Sequence, residues 1–115
     1  MLALCEGGTV QLVSSDVLVF ENDANPDPIR RDFAAQALAL ANQIVRADHV
    51  VQAQARTFVE AGVKPLDALH LASAIAAQAD FFCTCDDRLS KKARSLDTAP
   101  TRVISPLELI SEIQP

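Results

Sequence analysis

From Leu66 to Ala79 the chain is apolar on nearly every side of a helix, and Asp67, in the first turn, is its single carboxylate. A helix without a polar face belongs inside a molecule, so other elements must cover it on several sides. Directly after it, Phe81-Phe82-Cys83-Thr84 reads as a short strand running into a helix opened by Asp86 and Asp87. A buried helix that feeds a strand that feeds a helix is the repeating unit of an α/β protein, in which ligands gather at the carboxyl ends of strands. Asp67 and Asp86 are therefore candidates for one shared site. The same two residues also suit structural work: Asp67 complements the helix dipole after Pro65, and Asp86 is a good N-cap.

The chain before this stretch continues the alternation. Met1 to Glu6 reads as the last turns of a helix stopped by Gly7-Gly8; the expectation is either that Met1 falls in the middle of a supersecondary unit or that this is an ordinary frayed N-terminus. Residues 9–14 are β-branched and partly alternating, which predicts a strand. Ser14 or Ser15 caps a short helix from Asp16 to about Asn22. Glu21 lies at the C-terminal end of that helix, where the dipole disfavours a carboxylate unless a cation compensates. Asp27 and Pro28 open the next helix, whose Phe33, Ala37, Leu40 and Ile44 form one apolar stripe. Residues 42–49 read as a connection with a short extended piece at Ile44-Val45. Val51, Ala55, Phe58 and Val59 mark another helix, ended by Gly62.

After the strand at 81–84, a helix turns Leu89, Ala93 and Leu96 inward. Arg88, Lys91, Lys92 and Arg94 lie elsewhere on it and form the most basic patch of the chain, either a solvated face or a place for nucleic-acid backbone contacts. Arg102-Val103-Ile104 is a further short strand. Ser105-Pro106-Leu107-Glu108 is a capping box with proline at the first helical position, opening a helix to about Ile113. His70, one turn after Asp67, faces a similar direction and reads as a packing or hydrogen-bonding residue.

With 115 residues, one domain and one core are expected. No apolar run is long enough for a membrane span, and no basic-then-apolar signal opens the sequence, so the cytoplasm is the expected location. The net charge of −5 does not suit passive nucleic-acid binding by phosphate neutralisation. It remains compatible with RNA chemistry if divalent ions bridge carboxylates to phosphates. The three cysteines, Cys5, Cys83 and Cys85, make neither a disulfide framework nor a zinc pattern, and Cys83 is expected as a small buried strand residue.

The pairing of Asp67-Ala68-Leu69-His70-Leu71-Ala72 with Thr84-Cys85-Asp86-Asp87-Arg88-Leu89 resembles the C-terminal half of PIN-domain proteins. These are metal-dependent ribonucleases, many of them toxins of type II toxin–antitoxin pairs. The resemblance runs from about residue 1 to 113. It implies a three-layer α/β fold with a small, mainly parallel sheet. It also implies that residues 1–115 form one PIN-like domain lacking the family's first, central strand and the helix after it.

The family's acidic positions carry over to Glu21, in Val13-Ser14-Ser15-Asp16-Val17-Leu18-Val19-Phe20-Glu21, to Asp67 and to Asp86, with Asp87 as a neighbouring ligand. The acid that ends the family's first strand has no counterpart here. Hard carboxylate oxygens suit Mg²⁺ or Mn²⁺. The resemblance therefore implies an RNA substrate, a divalent ion, a possible antitoxin partner and a homodimer. The alternative is a catalytically inactive PIN-like module for binding or dimerisation.

Overall fold

The computed structural model describes residues 13–41 and 43–113. The helix end expected at residues 1–6 and most of the strand expected at 9–14 lie outside them. The order of elements is β1 (Val13–Ser15), α1 (Asp16–Asp23), α2 (Pro28–Leu38), β2 (Gln43–Val45), α3 (His49–Glu60), α4 (Pro65–Ala76), β3 (Phe81–Cys83), α5 (Asp87–Arg94), β4 (Arg102–Ile104) and α6 (Pro106–Ile113).

Local chemistry sets most of these boundaries. The Ser15 hydroxyl accepts from the Leu18 N–H and starts α1. Asp27 accepts from the N–H groups of Ile29 and Arg30 ahead of Pro28. Asp48 accepts from Val51, and Asp86 from Arg88 and Leu89. Each cap satisfies donors that a helix leaves unpaired at its start. Gly62 ends the α3–α4 turn at φ +106°, a conformation that strains any residue with a Cβ.

All strand pairing is parallel, and it falls into two halves. β1 pairs with β2, Val13 opposite Gln43 and Ser15 opposite Val45. β3 pairs with β4, Phe81 opposite Arg102 and Cys83 opposite Ile104. One apolar cluster joins the halves. It gathers Val51, Ala55 and Phe58 of α3, Ala68, Leu71 and Ala72 of α4, Leu89 of α5 and Val45 of β2, with Val13, Phe82 and Val103 packed against it. All four strands thus turn a residue to the same helical layer. α4, the all-apolar helix, packs against β1, β2 and β3 and spans both halves.

The handedness of the connections fixes the strand order. Parallel crossovers are right-handed, so helices share a face when the strands they join advance in the same direction across the sheet. α3 and α4 (between β2 and β3) lie with α5 (between β3 and β4) on one layer, whereas α1 and α2 (between β1 and β2) contribute nothing to its cluster. The order is therefore β2, β1, β3, β4, with the break between β1 and β3. α6 packs on β3, and its Leu109 is buried, like Ile104 of β4, outside the main cluster. The result is the expected α/β architecture of helices on parallel strands, its sheet split in two.

Two packing expectations change. Cys83 is exposed, because its side of β3 faces away from the α3–α4–α5 layer. The stripe of Phe33, Ala37, Leu40 and Ile44 is not a core stripe: Phe33 is 63% exposed, Leu40 40% and Ile44 64%. Ile44 belongs to β2 rather than to the helix.

Candidate active site

β1 and β3 flank the point where the strand order reverses, the usual place for a ligand in an α/β sheet. Each carries an expected acid just past its carboxyl end. Glu21 follows β1 in the last turn of α1, and Asp86 follows β3 as the N-cap of α5. Asp67 sits in the first turn of α4, half-buried. Asp87 is exposed in the first turn of α5.

Glu21 and α4 are in direct contact. The His70 Nε2 lies 2.9 Å from the Glu21 Oε2, with the imidazole 16% exposed and the carboxylate 47% exposed. No basic residue stands in the last turn of α1, so His70 supplies the donor that a carboxylate at a negative helix end needs. His70 and Asp67 are three residues apart on α4 and therefore neighbours on its surface. The bond to His70 thus brings Glu21 against the N-terminal half of α4, the helix that carries Asp67. On its other side Glu21 borders a groove of about 460 Å³ between α1 and α2, lined by Leu18, Asn22, Ala34 and Ala37.

Asp86 stands apart from this pair. Its Oδ1 is engaged by the Arg88 and Leu89 N–H groups, its own N–H donates to Thr84 Oγ1, and no hydrogen bond or ion pair joins it to Glu21, Asp67 or His70 among the described residues. Asp16, another acid after β1, is occupied structurally: both its oxygens lie 3.0 Å from the Ala47 N–H, tying α1 to the start of α3. Arg88, Lys91, Lys92 and Arg94 are all exposed on α5 beyond Asp86. The Ser14 hydroxyl, on β1 beside the break, is buried without a hydrogen-bond partner.

The donor chemistry of Glu21, Asp67 and Asp86 suits a hard divalent cation. The geometry does not complete such a centre: among the described residues no three His, Cys, Asp or Glu side chains are gathered closely enough to hold a metal ion. Partial burial and, secondarily, Cys85 push the Cys83 thiol above the ordinary range. His70, read from the sequence as a packing or hydrogen-bonding residue, makes its hydrogen bond to Glu21. Two signals pointed to it: a carboxylate at the wrong end of a helix, and an imidazole one turn from Asp67.

The sequence profile of the PIN domain family matches residues 9–95. Neither a curated relative nor a solved structure matches the chain. Within the described residues no helix is long and apolar enough to cross a membrane.

Proposed function

Because this chain belongs to the PIN domain family, a nuclease superfamily whose members generally use divalent metals and bind RNA, we propose that it is an endoribonuclease working with Mg²⁺ or Mn²⁺ through Glu21, Asp67 and Asp86, with Asp87 beside them. The observation that supports this reading is the 2.9 Å contact of His70 with Glu21, which brings the acid of α1 against the helix that carries Asp67. The reaction adds water to phosphorus and breaks a P–O bond, and a carboxylate of this set accepts the proton that water gives up. RNA cleavage in Mn²⁺ tests the proposal. Asp67→Asn should lower the rate at least about 100-fold, and equal rates in the two proteins would overturn the role of Asp67.

The two separate strand pairs and the lack, among the described residues, of any bond from Asp86 to Glu21, Asp67 or His70 favour a second reading. Residues 1–115 form one PIN-like unit whose sheet takes a further strand between β1 and β3, the place of the family's first strand. In that form the chain binds, as an antitoxin-paired toxin or as an inactive module, and cuts RNA only once the strand is supplied. Two outcomes separate the readings. Cleavage by the chain alone supports the enzyme. Absence of cleavage at saturating Mn²⁺, with an in-frame apolar strand ending in Asp encoded just upstream, supports the incomplete form. A small gene overlapping upstream supports the toxin–antitoxin assignment.

A further inference from the structure

The groove between α1 and α2 holds about 460 Å³, inside the roughly 300–1,000 Å³ of sites that take small ligands. Leu18 of α1 and Ala34, Ala37 and Leu38 of α2 give it apolar walls. Asn22 and Asn25 add polar lining beside Glu21. Each of these amides is half used. The Asn22 Nδ2 donates to the Arg31 carbonyl at 3.0 Å, and the Asn25 Oδ1 accepts from the Asp27 N–H at 3.0 Å. The two bonds fix how both amides are turned. Among the described residues they leave Asn22 Oδ1 as an unpaired acceptor and Asn25 Nδ2 as an unpaired donor.

We propose that this groove is a base subsite: it takes one unpaired nucleobase of the RNA between α1 and α2, with Asn22 Oδ1 and Asn25 Nδ2 pairing to the Watson–Crick edge. The subsite rests on the reading of Glu21 as an acid of the cleavage site, which sets it next to the bond that is cut. Chemistry selects the occupant. Every nucleobase has apolar faces and, on one edge, a donor beside an acceptor, which one amide oxygen and one amide nitrogen match. A wholly apolar ligand would cover both amide atoms without pairing them, at about 1–3 kcal/mol each. An anionic ligand would meet the Glu21 carboxylate, whereas a base is neutral. A base inside a duplex has its edge already paired, so the groove takes only an unpaired one.

NMR titration of the whole chain with uridine, in the absence of metal, tests this. Uridine carries no phosphate, so only its base and ribose can bind. Amide signals should shift at residues 18–25 and 34–38, with a Kd of about 1 mM. 3-Methyluridine, whose edge has lost its donor, should bind at least about 5-fold more weakly. Ala37→Leu, which fills the groove, should weaken uridine at least about 10-fold. Ala35→Leu, at an exposed position of the same helix, should leave binding unchanged. A chain that cuts RNA with Mn²⁺ but shows no uridine shifts in the groove would overturn the subsite and leave the nuclease reading intact. Equal binding of the two nucleosides, or equal loss in Ala35→Leu, would also overturn the subsite. Uridine shifts in the groove of a chain that cuts no RNA would support the base site and overturn the nuclease reading.

Discussion

Glu21 occupies a position that its own helix disfavours, and His70 is the side chain that compensates. In the proposed enzyme His70 therefore acts as a positioning residue. Its Nε2–H fixes the Glu21 carboxylate against α4 but touches no substrate. His70→Ala should reduce Mn²⁺-dependent cleavage about 10- to 100-fold, the usual scale for losing a group that orients a ligand. Global stability should fall by about 1 kcal/mol or less, since the carboxylate is half in water. A steady-state assay paired with urea unfolding checks both. His70→Gln, which keeps a donor, should recover part of the rate. An unchanged rate in His70→Ala would show that Glu21 needs no positioning. At this scale the sequence was readable wherever chemistry is local. Ser15, Asp27 and Asp86 announce their caps because the hydrogen bonds they make lie two or three residues away. The Glu21–His70 bond was not readable, because it closes over 49 residues and depends on how α1 meets α4.

Among the elements, α4 carries the fold. Ala68, Leu71 and Ala72 are each 0% exposed, and the helix underlies both halves of the sheet. Leu71→Ala should cost about 2–5 kcal/mol in denaturant unfolding, from lost transfer energy and the cavity left behind. A loss below 1 kcal/mol would mean that α4 is not the shared core. α6 gives a pH test. The Glu108 carboxyl accepts from the Ser105 N–H, and Ser105 Oγ accepts from the Glu108 N–H. The Ser105 backbone N–H first, and the Ser105 hydroxyl after it, hold the Glu108 carboxyl below the usual carboxylate range. A lowered folded value stabilises the start of α6 above the unfolded value and loses that stabilisation as pH falls through the folded one. Glu108→Gln should remove this acid-side dependence, read as helicity against pH. Element type was legible for α4 because nothing but a buried helix fits its composition. It was misleading for α2, where Phe33 and Leu40 turn outward and Ala37 lines the groove against α1. Periodicity shows that an apolar face exists; which way it turns depends on what stands next to it.

For the whole molecule the decisive feature is the break between β1 and β3. The sequence reading found the parallel α/β class and, among the described residues, the strands at 81–83 and 102–104, with β2 as an extended piece; its strand at 9–14 overlaps β1 only at Val13 and Ser14 and otherwise lies outside the described residues. It did not reveal that α4 binds two separate half-sheets, because strand pairing is non-local and each strand is only three residues long. Unpaired edges should show in hydrogen exchange. The amides that β1 and β3 direct into the break should exchange far faster than those of Ala68 to Ser73 in α4. Comparable slow exchange along both strands would mean that the edges are already paired.

The same break bears on the acids, since Glu21 follows the strand on its one side and Asp86 the strand on its other, while Asp67 sits on α4, which packs against both. Mn²⁺ titration followed by NMR asks most directly whether these three residues serve one cation. At substoichiometric Mn²⁺ the account predicts that amide signals of Glu21, Asp67, His70 and Asp86 broaden together, before those of exposed acids such as Asp32 and Asp97. Broadening spread evenly over the exposed acids, with residues 21, 67 and 86 no different from the rest, would contradict it.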